Sequence, residues 1–170
     1  MARKIKKQLV TTLIVIGEGA CEKAFLSHMK SLYDGRETGQ KVTIQGSNGG
    51  SPDVMLTDVD RTYKHADYDR RVLLIDSDVP ITAALHKKAK KKNIEIILSE
   101  PVCLEGMLLE ILGERPLETS VQCKRVLHPM LSGPATIASS YLPLFSKTVL
   151  DAATKQAIVR LVKLLTNKTK

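Results

Sequence analysis

The sequence has no tryptophan, and aromatic residues make up only 4% of its 170 positions. With 43% apolar residues and so few rings, the chain must fold on aliphatic packing, and that apolar share argues against disorder. No apolar run approaches the ~20 residues that a membrane span needs. The start, "MARKIKKQLVTTLIVIGEG", is basic and then apolar, like a secretory leader. However, Thr11 and Thr12 interrupt the apolar run and Gly17-Glu18-Gly19 ends it, so it reads as a buried strand with a basic lead-in. Cysteine is scarce and odd in number: Cys21, Cys103 and Cys123 form no CxxC pair. That pattern predicts a reduced, cytoplasmic protein without a zinc site and without a membrane partner. His28, His65, His86 and His128 are scattered, and none stands in ligand spacing with a cysteine, so they read as surface or satisfied residues. A nucleotide-binding P-loop is missing too, since "GSNGGSP" is glycine-rich but lacks Gly-Lys-Ser/Thr.

What is abundant is positive charge. The net charge is +8, with basic residues at Arg3, Lys4, Lys6 and Lys7, at Lys87, Lys88, Lys90, Lys91 and Lys92, and at Lys163, Lys168 and Lys170. Such a surface suits a polyanion, DNA or RNA, although a solvated charged face is the plainer alternative.

Apolar, β-branched runs at 8–16, 41–46, 70–78 and 94–99 predict four strands. Helical stripes separate them: 20–33, a helix after Ser51-Pro52, one opened by Pro80 and closed near Asn93, and 102–113. A single amphipathic helix is expected over 147–168, and its apolar stripe suits either its own core or a homo-oligomer contact. Four alternations predict an α/β fold with a mostly parallel four-stranded sheet and helices on both faces, over residues 1–115. Residues 116–170 read as a helical C-terminal extension packed on the same domain.

Sites in open α/β sheets gather at the carboxyl ends of the strands. Here that edge collects acids in an otherwise basic chain. Glu18 ends the first strand, with Glu22 a helical turn later; Asp76 and Asp78 end the third; Glu100 ends the fourth, with Glu105 on the next helix. On an extended backbone Asp76 and Asp78 share a side and repel, unless a hard cation such as Mg²⁺ joins them. Glu18 from the neighbouring strand would complete the set. Each acid alone also reads as a helix cap or first-turn residue.

These residues resemble the Toprim fold, a Rossmann-like sheet marked by Glu-Gly after its first strand and Asp-x-Asp after its third: here Glu18-Gly19 and Asp76-Ser77-Asp78. More closely, residues 9 to about 112 are similar to the RloB-like proteins of anti-phage and abortive-infection loci. "EGACEKAF" stands for their Glu-Gly, Thr-Glu and aromatic motif, and "SEPVCLEGMLLEIL" for their Ser-Asn-Pro-Cys-Phe-Glu motif, with Val102 as one extra residue. The chain departs at Glu22, one residue early and without its threonine, and at Leu104, which replaces the aromatic. The resemblance implies a Mg²⁺- or Mn²⁺-dependent nuclease, often beside an ATPase encoded nearby. Asp76 and Asp78 would bind metal. Glu18 would be a third ligand or move a proton. Glu22 and Glu105 would serve a second metal, and Lys87, Lys88, Lys90, Lys91 and Lys92 would hold nucleic acid. Two rivals remain: a non-catalytic Toprim accessory subunit that binds nucleic acid or a partner ATPase, and, ranked lower, a phosphatase-like phosphoryl-transfer enzyme.

Overall fold

A computed structural model describes residues 10–34, 36–115 and 117–168. The basic lead-in at Arg3, Lys4, Lys6 and Lys7, and Lys170 at the other terminus, lie outside the described residues. Four strands, β1 (Thr11–Gly17), β2 (Gln40–Gly46), β3 (Arg70–Asp76) and β4 (Ile94–Ser99), form an all-parallel sheet in the order β2-β1-β3-β4. The helices are α1 (Ala20–Tyr33), α2 (Pro52–Thr62), α3 (Ala83–Lys91), α4 (Leu104–Ile111), α5 (Ser120–Leu127), α6 (Lys147–Ala152) and α7 (Gln156–Leu165). This is an α/β, Rossmann-like architecture with helices on both faces. Among the described residues no helix is long and apolar enough to cross a membrane.

The period-2 rule divides the strands between two cores. Leu13, Val15, Val72, Leu74 and Ile97 face α1, α4, α5 and α7. Ile14, Ile16, Leu73, Ile75 and Ile94 face α2 and α3. Continuing that alternation, Asp76 falls on the side of α1 and α4. The first core also takes the few large rings, with Phe25 packed edge-on to both Tyr141 and Phe145. Residues 117–168 share this core. Ala157, Ile158, Leu161, Leu164 and Leu165 turn the apolar stripe of α7 inward.

Local chemistry sets most boundaries. Ser51 caps α2, its hydroxyl accepting from the Val54 N–H at 3.4 Å, with Pro52 in the first turn. Two expectations change. Pro80 does not open α3; Thr82 caps it, accepting from the Leu85 N–H at 3.2 Å. The single helix over 147–168 is two helices, broken at Ala153–Lys155, where Ala153 (ψ 134°) and Lys155 (ψ 125°) leave helical geometry. Gln40 on β2 donates from Nε2 to the Leu164 and Leu165 carbonyls at 2.9 and 3.2 Å, which anchors the end of α7 at the amino edge of the sheet.

Candidate active site

The parallel sheet brings the ends of β1 and β3 side by side, with Gly17 in register with Leu74. Glu18 therefore follows the strand directly beside Asp76, and its Oε2 accepts from the Asp76 N–H at 3.1 Å. Gly17 is needed here for closeness. A Cβ at this position would stand 2.5 Å from the Glu22 Cβ, so glycine lets the first turn of α1 pack on the strand end. Glu22 reaches back from that turn, and its Oε2 accepts from the Gly19 N–H at 2.8 Å.

Asp76 is only 6% exposed, and its Oδ1 accepts from the Leu104 N–H at 2.9 Å. The carboxylate thus sits on the N-terminus of α4, a helix far along the chain, rather than on α3, which follows β3. Val102 turns the chain into α4 with φ +66°, a conformation rare for a β-branched residue and held only by its surroundings. The neighbouring Ser77 hydroxyl donates to the Ser99 carbonyl at 2.8 Å, locking the ends of β3 and β4 together. Despite the α4 amide, burial pushes the Asp76 pKa up to about 7, helped by the negative charges of Glu22, Glu18 and Glu105. Burial first, and then Glu105, also raises the pKa of Glu22, against the hydrogen bonds from its own backbone and from Gly19.

Glu105 is wholly buried on the first turn of α4. Its Oε1 lies 2.9 Å from His128 Nε2, and its Oε2 has no partner. Lys124 and His128 sit one turn apart at the end of α5 and face this cluster. The charges of Glu105, Glu22 and Asp76 raise the Lys124 pKa against its own burial, which lowers it.

Four of the five acids given site roles in the sequence, Glu18, Glu22, Asp76 and Glu105, thus act on one another. Asp78 lies two residues past the end of β3, in a bend and exposed, so the extended-backbone geometry that would align it with Asp76 stops short of it. The lysine tract lies elsewhere. α3 runs antiparallel to the strands, so its last turns stand at the amino edge, where Arg71 at the start of β3 donates to the Lys92 carbonyl. Lys88 and Lys92 pair with Asp53 and Asp60 of α2, while Lys87, Lys90 and Lys91 are exposed. A surface hollow of about 520 Å³ also lies at the amino edge, between residues such as Arg70, His86, Lys90 and Ile96. It contains none of the clustered carboxylates, and the perturbed charges are the better guide to chemistry.

Sequence reasoning missed Cys21, His128 and Lys124. Cys21 Sγ, a Glu105 carboxylate oxygen and a His128 ring nitrogen lie within 4.8 Å of one another. No spacing rule finds a trio drawn from α1, α4 and the end of α5.

The fold and this edge define an α/β protein with a Rossmann-like parallel sheet and a buried carboxylate cluster at its carboxyl edge. Comparison of the chain with models of protein families, with curated proteins and with solved structures finds no match.

Proposed function

We propose that the chain is a Toprim-type nuclease, dependent on Mg²⁺ or Mn²⁺, that cleaves nucleic-acid phosphodiester bonds in anti-phage or abortive-infection defence. The observation that carries this reading is Asp76, a carboxyl at a strand end whose pKa is raised to about 7 by burial first and then by the charges of Glu22, Glu18 and Glu105. A structural carboxylate is ordinarily paired with a cation or with several N–H groups. This one has like charges for neighbours, which a hard divalent ion relieves. The donor set fits such an ion: carboxylate oxygens of Glu18 and Asp76 at the ends of β1 and β3, with Glu22 from the first turn of α1 beside them. Glu18 and Asp76 would hold the metal, Asp78 reaches the same edge from solvent, and Glu22 and Glu105 stand behind. A bound ion would polarise a phosphoryl oxygen and make water a stronger acid.

The chain's own residues do the rest. The Leu104 N–H and the Ser77–Ser99 link orient Asp76. Glu18, half-buried at the mouth, would in the alternative be the group that takes or gives a proton. Lys124 brings positive charge beside the carboxylates, where a phosphate would sit. Lys87, Lys90 and Lys91, at the far edge, would meet only a polyanion long enough to pass around the sheet, and would add salt-dependent affinity without aligning the reacting phosphate. A reduced, cytoplasmic setting suits the three free thiols. A partner ATPase, or a second copy, would have to dock away from the apolar stripe of α7, which the chain's own core covers.

The second reading, a non-catalytic accessory subunit, draws on one observation: Asp76 already has a structural task as the acceptor for the α4 N-terminus. The test is incubation of the full chain with single- and double-stranded DNA and with tRNA, in Mg²⁺ or Mn²⁺. Cleavage is expected, abolished by EDTA and by Asp76→Asn, which keeps the acceptor oxygen for Leu104. Binding without cleavage across the whole panel overturns the nuclease and establishes the accessory role. Release of phosphate from a small monoester, with polynucleotides untouched, points to the phosphatase.

A further inference from the structure

We propose that Cys21, Glu105 and His128 form a second cation site, chemically distinct from the carboxylates around Asp76, that takes a borderline-soft divalent ion of the zinc type. This goes beyond the nuclease reading and stands or falls without it.

The three donors come from three rigid places: the first turn of α1, the first turn of α4 and the residue that ends α5. Their ligand atoms lie within 4.8 Å of one another, and His128 Nε2 is 2.9 Å from Glu105 Oε1. Zinc with one sulfur at ~2.3 Å and nitrogen and oxygen at ~2.0–2.1 Å holds tetrahedral ligand atoms roughly 3.3–3.6 Å apart. From within 4.8 Å, the trio has only about an ångström to close to reach that geometry.

A second observation points to a ligand independently of the spacing. Glu105 is 0% exposed, yet its Oε2 has no hydrogen-bond partner. A buried carboxylate oxygen left without a partner is costly, and the Glu105–His128 contact accounts only for the other oxygen. An ion held by this carboxylate, the thiolate and the imidazole gives the group the partner it lacks.

Charge and donor type choose the class of ion. Mg²⁺ prefers an all-oxygen octahedron and binds thiolate poorly, whereas one sulfur, one nitrogen and one oxygen suit Zn²⁺ or Co²⁺. Thiolate and carboxylate together neutralise a divalent ion. Without one, burial and the charges of Glu105 and Glu22 hold the Cys21 thiol near pKa 11; on binding, that proton leaves to solvent and affinity rises with pH. The His128 side chain is 34% exposed, so the fourth position opens to water, as in three-ligand zinc sites that keep a solvent ligand.

Cobalt makes the site visible. The metal-free full chain, titrated with Co²⁺, is expected to take up one ion with a thiolate-to-cobalt charge-transfer band and tetrahedral d–d absorption, both removed by Zn²⁺ and untouched by excess Mg²⁺. Cys21→Ser should remove the charge-transfer band. His128→Ala should weaken binding by at least about tenfold. Circular dichroism and retained Mg²⁺-dependent cleavage, where it occurs, would show either variant folded. Asp76→Asn should leave the cobalt spectrum intact, so failure of the nuclease reading and failure of this site are separate results. No thiolate band in the wild-type chain, a band that survives Cys21→Ser, or Mg²⁺ competing on equal terms would each overturn the proposal.

Discussion

The two edges of the sheet treat charge in opposite ways. At the amino edge, charge is compensated. Arg71, 3% exposed, reaches Asp60 at 3.2 Å and the carbonyl of Tyr63 at 2.8 Å, and donates to the Lys92 carbonyl. Lys92 pairs with the same Asp60, whose pKa falls because both cations bind it. Asp69 accepts from the Thr12 N–H at 2.7 Å, and Arg70 links Gln40 to Asn167. At the carboxyl edge, four carboxylates face one another, and Lys124 is the cation whose pKa registers them. A fold gains stability from the first arrangement and loses it in the second. Repulsion retained in a buried place is what a binding or catalytic edge looks like, and the amino edge shows that this chain is able to pair its charges.

The largest effect should come from breaking the compensated edge. Arg71→Ala leaves Asp60 and two carbonyls short of a partner and should cost on the order of 3–5 kcal/mol, read as a lower midpoint in urea. Opposite in sign, Asp76→Asn should stabilise at neutral and alkaline pH. The folded-state pKa, about 7, lies above the unfolded value near 4, so the folded form holds the proton more tightly. Stability is then greatest below the unfolded pKa and falls as pH rises through 7. Between pH 5 and pH 8 the wild type should lose about 3 kcal/mol relative to Asp76→Asn. A flat difference between the two proteins over that window would mean that neither burial nor the neighbouring carboxylates raise the Asp76 pKa. Glu22→Gln should show the same sign with a smaller gain. Its pKa is also raised, and Gln keeps an acceptor for the Gly19 N–H.

Much of this contrast was legible in the sequence, because it follows from where strands end. β-branched runs mark the four strands, and the strand-end rule alone brings Glu18, Asp76 and Glu105 to one edge. The bend that carries Asp78 out to solvent was not legible: no glycine or proline stands between the apolar run and Asp78, yet pairing with β4 stops at Asp76–Ser99. Nor was the break between α6 and α7. No glycine or proline marks Ala153–Lys155, so the apolar stripe runs on through the break without a local signal. The trio of Cys21, Glu105 and His128 escaped for a related reason. Metal-ligand spacing rules describe donors on one or two adjacent turns, while His128 meets Glu105 across 23 residues and Cys21 joins from another layer of helix.

The smallest effect sharpens what compensation means at the amino edge. Lys88 pairs with Asp53 at 2.8 Å and also reaches the Thr57 hydroxyl at 3.0 Å, linking α3 to α2 much as Lys92 does. The distances are those of a good ion pair, but Asp53 is 64% exposed and water screens it. Lys88→Ala should therefore cost under ~1 kcal/mol, and the loss should shrink further in high salt. A loss approaching that of Arg71→Ala would mean that Lys88 is as firmly held in the fold as the buried pair at Arg71. It would then leave only Lys87, Lys90 and Lys91 to meet a polyanion. A loss near zero keeps Lys88 available as well, since a pair that contributes so little to folding yields readily to a phosphate.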